Sequence, residues 1–330
     1  MQKPYNPHKM ELKHEIARLY RLGQTPVPYK STNVTEIISM LYLSNKHNIV
    51  YPNETNIRDA YIKYGRDGRG FEPSEKRQLR SLKLPPPELR NIELYLYFDK
   101  KDNLIKSNRE EYFAIFYWKL QDIIKANPGK KVACKFDIGM FTEDNLTNGH
   151  TEMILYDPLL NTLEHVDSNN IPKQCARKDR GYFACCEMVS SIMRDVVATL
   201  PQSPLYINNE DIYSGYAWGV QSLECSSDNL TEQEKEGYCL MWTTLFGDLA
   251  LSFPEYSMKQ IIEELVKKSK SPSNSAKTEN DYLLSIIRGY VVDLSKKMDV
   301  IFDDESSQHL GCIRLALEKR DSIFNKSLQK

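Results

Sequence analysis

The segment that begins at Cys239 constrains the fold of this chain more than any other. Its apolar side chains recur so closely that a helix over residues 239–251 is apolar around most of its circumference. A surface helix would expose much of that area to water, so we expect this helix to lie inside a domain. The chain is long enough to surround it, because 330 residues with 41% hydrophobic side chains can bury a sizeable core.

Strands and helices are both predicted around this buried helix. Period-two alternation predicts strands over residues 92–98, 131–138, 151–156 and 163–166, and a polar loop over 139–149. Amphipathic spacing predicts helices over 109–126, 182–200, 281–297 and 308–327. Capping-box patterns stand at Thr231-x-x-Glu234 and Ser257-x-x-Gln260. The predicted fold class is α+β, with a mixed sheet flanked by helices.

The run Pro85-Pro86-Pro87 is the predicted boundary between two regions. Residues 1–90 hold 16 Lys and Arg against 9 Asp and Glu, so this accessory region carries +7 and the rest of the chain −8. The net charge of −1 argues against non-specific nucleic-acid binding by the whole protein, which leaves the basic region as its one route to nucleic acid. Residues 91–330 are predicted to form the core, including the C-terminal helices.

Cysteine usage and hydropathy indicate where such a chain operates. Seven cysteines at no framework spacing favour free thiols in a reducing compartment. No apolar stretch is long enough to span a membrane and no signal peptide is recognisable, so we expect an intracellular protein without a membrane partner. With no CxxC, HxxxH or phosphate-binding glycine motif, neither a metal nor a cofactor is expected.

Cys239 is the strongest candidate for a reactive group. A helix N-terminus presents unpaired backbone N–H groups and the positive end of the helix dipole, which together favour a thiolate. A buried structural cysteine would be the ordinary interpretation of a thiol beside apolar residues, but it would not need this placement. Cys225 is the nearest rival, and it ranks lower because no apolar helix follows it.

Three further side chains supply what a thiol nucleophile requires. His150 is predicted at the entrance of one strand and Asp167 at the end of its hairpin neighbour, so the two could meet across adjacent strands. His165 competes with His150 because it lies two residues before Asp167 and shares its strand face. The side-chain amide of Gln221 could donate to a developing oxyanion.

These residues carry a family resemblance. The motifs are Gly149-His150, Val166-Asp167-Ser168, Gln221 and Gly237-Tyr238-Cys239-Leu240-Met241-Trp242, spread over roughly residues 130–255. In order and type they resemble the core of the clan CE cysteine peptidases, the family of SUMO and other ubiquitin-like-protein proteases and of the adenovirus protease. The style is closest to versions carried by large DNA viruses. Thr151 stands where SUMO proteases usually have Trp, and 17 residues rather than a handful separate Gln221 from Cys239.

The resemblance implies a papain-like fold and a thiol protease. In that family Cys239 would attack a carbonyl carbon, His150 would act as base and then acid, Asp167 would orient it, and Gln221 would help to hold the oxyanion. The implied partner is a protein substrate cleaved after small or Gly residues, either a ubiquitin-like modifier or a viral precursor polyprotein, in the host cytoplasm or the virion. Two alternatives stay open: an acetyl-CoA-dependent Ser/Thr/Lys acetyltransferase similar to those of bacterial effectors, and a catalytically inactive binding module.

Overall fold

The computed structural model describes the chain in several stretches. These are residues 11–29, 94–99, 103–142, 145–169, 180–216, 218–225, 227–231, 234, 238–269, 279–298 and 302, with single helical residues at 35, 39, 42, 43, 46 and 47. The predicted helix over 308–327, Gly237, Cys175 and Cys312 lie outside the described residues. Among the described helices, none combines the length and apolarity needed to cross a membrane.

Eight helices and six strands have defined bounds in the described residues. The helices are α1 Leu12–Leu22, α2 Arg109–Ala126, α3 Arg180–Thr199, α4 Asn209–Ile212, α5 Val220–Glu224, α6 Cys239–Ser252, α7 Met258–Ser269 and α8 Glu279–Met298. The strands are β1 Leu94–Phe98, β2 Leu104–Ser107, β3 Val132–Thr142, β4 Asn145–Asp157, β5 Thr162–Val166 and β6 Leu205–Ile207. The chain is therefore α+β, as predicted.

The six strands form one mixed sheet in the order β2-β1-β3-β4-β5-β6. Parallel pairs join β1 to β3 and β5 to β6, and the remaining neighbours are antiparallel. Helices α2 and α3 pack on one face, where they share a core with alternate residues of β3 and β4. The other face is covered by α6, with α1, α7 and α8 behind it. The predicted buried helix is thus enclosed between the sheet and a further helical layer.

The predicted polar loop over residues 139–149 is wrong. Strands β3 and β4 continue through it, with Ile138 opposite His150, Gly139 opposite Gly149 and Met140 opposite Asn148. Ladder hydrogen bonds are made by the backbone, so a hairpin can extend through polar residues that break the hydrophobic alternation. As a result β3 and β4 form a long ribbon, and His150 lies within a strand.

Helix α1 belongs to the same core as α6. It packs on α8 at two glycines where the backbones approach closely: a Cβ on Gly289 would stand 1.8 Å from the carbonyl oxygen of Leu19, and one on Gly23 would stand 1.9 Å from that of Ser285. Leu12, Ile16 and Leu19 are fully buried there. The described part of the basic N-terminal region therefore covers the helices behind the sheet.

Polar contacts also tie the N-terminal region to α6. The buried Asp248 carboxylate accepts from the ammonium group of Lys46 at 2.6 Å and lies 2.7 Å from Nε2 of His47. Burial acts to raise the pKa of Asp248, but these two partners lower it below its ordinary value. In addition, the ring of Tyr29 stacks on Tyr238, the residue before Cys239, with 4.6 Å between ring centres. Helix α6 is therefore held at its start and along its length.

Candidate active site

His150 lies where β4 extends past the end of its neighbour β5. The last paired residues of these strands are Met153 and Val166, so the backbone beside His150 is no longer covered by β5. The sequence places His150 at a strand entrance, but the structure has it inside β4, paired with Ile138 of β3 on its other side. The shorter β5 therefore ends before it reaches His150 on that side of β4.

Asp167 directly follows β5 and contacts His150 from the side that β5 leaves uncovered. Its Oδ1 atom lies 2.7 Å from Nε2 of His150, and both side chains are buried. The same oxygen accepts the backbone N–H of Asn169 at 2.8 Å, while the Asp167 N–H donates to Oδ1 of Asn209. The aspartate is therefore fixed from three directions, and the predicted contact across the hairpin is present.

Cys239 is the first residue of α6, as the sequence predicts. One turn later, the Thr243 hydroxyl donates to the carbonyl oxygen of Thr151 at 2.9 Å, which holds the start of the helix against the backbone next to His150. The Cys239 thiol lies close enough to His150 to favour the protonated ring. Nε2 of that ring faces Asp167.

The surroundings of His150 favour its protonated form. Burial alone would lower the pKa of the ring, but the charge and hydrogen bond of Asp167, the nearby Cys239 side chain and the charge of Glu152 together raise it well above its ordinary value. An imidazole that holds a proton firmly can keep a proton that it takes from a neighbouring group. The site is thus suited to a protonated His150.

Gln221 lies on the short helix α5, which docks onto the residues after Asp167. Its backbone N–H donates to the carbonyl oxygen of Ser168 at 3.0 Å, and the Ser168 hydroxyl donates to its Oε1 at 2.7 Å. Gly219 permits this approach, since a Cβ there would stand 2.4 Å from the Ser168 oxygen. With Oε1 occupied, the amide turns its N–H groups away from Ser168.

A buried hydrogen bond sets α5 beside the start of α6. Nε1 of Trp242 donates to Oε2 of Glu224 at 3.0 Å. Gln221 is three residues before Glu224 and Cys239 is three residues before Trp242, so each lies on the same helix side as the bonded residue. The side chains of Cys225 and Cys239 are also near enough to interact electrostatically. The structure thus brings all four predicted residues into one region.

Neither rival residue suits the chemistry as well. Desolvation and the nearby charges of Glu224 and Cys239 raise the pKa of Cys225 to about 12, so its thiol keeps its proton near neutral pH. His165 has both ring nitrogens engaged: Nε2 lies 2.5 Å from Glu152 and Nδ1 3.1 Å from the Tyr206 hydroxyl. Cys239 and His150 remain the nucleophile and base candidates.

The stretch of 17 residues between Gln221 and Cys239 contains a buried glutamate that binds distant residues. Glu234 is fully buried and binds Arg288 of α8 through both oxygens at 2.7 Å. It also accepts from the Tyr238 hydroxyl at 2.7 Å and completes the predicted capping box with Thr231. Burial acts to raise the pKa of Glu234, but these partners lower it below its ordinary value. Glu234 therefore holds Tyr238, the residue that precedes Cys239.

Sequence reasoning missed Glu152, a fully buried carboxylate two residues after His150. Donor atoms of His150, Glu152 and Asp167 lie within 4.8 Å of one another and are of types that bind metal ions. However, the 2.7 Å between His150 Nε2 and Asp167 is a hydrogen-bond distance that leaves no position for an ion between those two atoms. The available signal was the His-x-Glu spacing, which places both side chains on one strand face.

Glu224 gives the site a pH-dependent contribution to stability. Burial, followed by the charge of Glu234, raises the pKa of Glu224 to about 8, against the opposing effects of Trp242, Arg288 and Cys225. A pKa raised on folding stabilises the protein fully below the unfolded value near 4.5, and this contribution is lost as pH rises toward 8.

We therefore expect Glu224→Gln to gain stability relative to the wild type between pH 4.5 and 8, at about 1.4 kcal/mol per unit of pKa shift. Urea unfolding of both proteins at pH 5 and pH 8.5 measures this difference. Other titrating groups are common to the two proteins and cancel in the comparison. A difference in unfolding free energy that stays constant with pH would contradict the protonation of Glu224.

Comparison of the chain with protein-family models, curated proteins and solved structures finds no match.

Proposed function

We propose that this chain is a cysteine hydrolase of the clan CE type, which cleaves peptide or isopeptide bonds after small residues. The observation that carries the proposal is the contact of Asp167 with His150 at 2.7 Å, with the Cys239 thiol near the ring at the N-terminus of a buried helix. A nucleophile, a base and a group that orients the base are the three parts that covalent acyl transfer requires.

In the proposed reaction, Nδ1 of His150 takes the Cys239 thiol proton as the sulfur attacks the substrate carbonyl carbon. The carbonyl oxygen becomes an oxyanion, which the Cys239 backbone N–H and the Gln221 amide stabilise. His150 then gives the proton to the departing amine as the carbon–nitrogen bond breaks, leaving a thioester on Cys239. Water, deprotonated by His150, attacks the thioester and releases the acid with the free thiol.

Two features of the surrounding structure support these roles. The first N–H groups of a helix have no partner within the helix, so the Cys239 N–H can serve an oxyanion. The Ser168 hydroxyl holds Oε1 of Gln221, which leaves the donor half of that amide for a substrate. These two groups are the proposed donors to the oxyanion.

A pair of probes tests the proposal against acetyl transfer. We expect a ubiquitin-like protein with a C-terminal vinyl sulfone to label the wild-type chain at Cys239, located by mass spectrometry of the digested adduct. Asp167→Asn should be labelled far more slowly, because the amide no longer carries the charge that holds His150 in place. The double variant Cys185→Ala/Cys225→Ala should be labelled as fast as the wild type.

Two outcomes would overturn the peptidase assignment. Stable acetylation of Cys239 by acetyl-CoA, followed by transfer to a Ser, Thr or Lys side chain, would favour the acetyltransferase. A Cys239 that reacts with iodoacetamide no faster than a cysteine in an unfolded peptide would favour an inactive binding module. Both measurements use the full chain.

A further inference from the structure

A second buried carboxylate lies under the proposed base. Glu152 is fully buried on β4, and its Oε1 stands 3.9 Å from Nε2 of His150. This oxygen makes no hydrogen bond within the described residues. An unpaired carboxylate oxygen in such a place is costly, so its position requires a physical reason.

The other oxygen of Glu152 is held by a polar chain that runs away from the site. Oε2 lies 2.5 Å from Nε2 of His165, and Nδ1 of that ring lies 3.1 Å from the hydroxyl of the half-exposed Tyr206. His165 pairs with Ile154 across the two strands, and Ile154 shares a face of β4 with Glu152 and His150. The strand register therefore places His165, Glu152 and His150 on one face of the sheet, and the contact with His165 holds Oε2 of Glu152.

We propose that Glu152 is a second positioning carboxylate for His150, held by His165 and Tyr206 so that its free oxygen faces the ring nitrogen bonded to Asp167. This inference rests on the proposed function, because it assigns a role toward the same base. Glu152 adds a second negative charge beside the imidazolium and offers Nε2 another acceptor if the ring tilts away from Asp167. The charge of Glu152 also contributes to the raised pKa of His150.

The other groups that face His150 can be named. Asp167 approaches from the end of β5 and Cys239 from the start of α6. On β3 the residue opposite His150 is the apolar Ile138. Its neighbour Asp137 is taken by Lys135 at 2.7 Å and by the Thr151 hydroxyl at 3.1 Å.

A phenol lies beyond Asp167. Burial, followed by the charge of Asp167, raises the pKa of Tyr213 well above its ordinary value. This phenol therefore stays neutral in the pH range in which His150 is studied. Within the described residues, the negative charges that act on the ring are therefore those of Asp167 and Glu152.

The test is the ionisation of His150 in the full chain, followed by NMR of its ring resonances over pH. We expect Glu152→Gln to lower the pKa of His150 by about one unit or more, since an opposite charge at this distance produces shifts of that size. Glu164→Gln is the matched control: it is also a buried glutamate, on the adjacent strand, but it accepts the backbone N–H of Met258 instead. This control should leave the pKa of His150 unchanged.

The rate at which iodoacetamide alkylates Cys239 gives a second readout. In a plot of this rate against pH, the alkaline limb should move to lower pH in Glu152→Gln and stay in place in Glu164→Gln. A purely structural role of Glu152 would lower stability without moving the limb. Coincident curves for the two variants would overturn the inference. A wild-type Cys239 without enhanced reactivity would overturn the proposed function instead, and the NMR comparison would still decide the role of Glu152.

If Glu152→Gln fails to fold, the pKa of His150 is measured in Asp167→Asn instead. If Glu152 acts as proposed, His150 in this variant still titrates above about 6.5, the ordinary histidine value, despite its burial. A value below that would show that Asp167 alone supports the charge and would overturn the inference.

Discussion

Cys239→Ala should lower the rate of substrate hydrolysis by about 10⁴-fold or more, because loss of the nucleophile removes the covalent route entirely. Cleavage of a ubiquitin-like protein fused through its C-terminal glycine to a reporter measures this rate. Folding should be little affected, since the Cys239 side chain is only partly buried and the helix continues for 13 further residues. The two proteins should therefore have similar unfolding midpoints in urea.

Cys225→Ala is the matched control for this variant. Both thiols lie in the same region. Cys225 is exposed as a residue, but its sulfur lies 3.9 Å from Oε1 of Glu224, and its raised pKa keeps the thiol protonated near neutral pH. We expect it to retain activity within a few-fold of the wild type, as surface substitutions usually do. An active Cys239→Ala together with an inactive Cys225→Ala would transfer the nucleophile assignment to Cys225.

Arg288→Ala should have the largest effect on stability, a loss of about 3–5 kcal/mol, because it leaves the buried carboxylate of Glu234 without its counter-charge. Side-chain exposure is 6% for Arg288 and 0% for Glu234, so water cannot replace the lost partner. Activity should fall as well, since Glu234 also holds Tyr238, the residue before the nucleophile. Urea unfolding and probe labelling of Cys239 measure the two effects.

Arg109→Ala is the matched control, because it removes an arginine whose ion pair is exposed to solvent. Its ion pair with Asp195 has side chains that are 39% and 54% exposed, so its loss should cost at most about 1 kcal/mol. The double variant Arg288→Met/Glu234→Gln should recover part of the loss, because neither charge is then buried alone. Equal losses for Arg288→Ala and Arg109→Ala would mean that the buried pair does not stabilise the start of α6.

Local patterns predicted much of this fold. Helix α2 begins and ends where its amphipathic spacing indicates, and α6 begins at Cys239 as the apolar run requires. The capping box of Ser257 and Gln260 also forms with both of its hydrogen bonds. These features depend on contacts between residues a few positions apart, and the spacing of residue types in the sequence predicts such contacts.

The features that sequence reasoning missed depend on distant partners. Asp248 is a lone charge inside an apolar helix, and only the folded chain brings Lys46 and His47 to it. Glu234 belongs to a charged run that ordinarily marks a solvated surface, but its partner Arg288 follows 54 residues later. Buried polar groups are satisfied by tertiary contacts, so periodicity cannot identify them.

The position of Tyr29 has a consequence for when the site can form during synthesis. Tyr29 stacks on Tyr238 and forms an isolated bridge with Phe302, so it joins the residue before Cys239 to a residue much later in the chain. A ribosome releases the N-terminal part of a chain first, and contacts between distant residues wait for the later partner to emerge. Nascent chains that have not yet reached Phe302 therefore lack this bridge to Tyr29, and the proposed hydrolase can complete the packing of Tyr29 only after that residue has emerged.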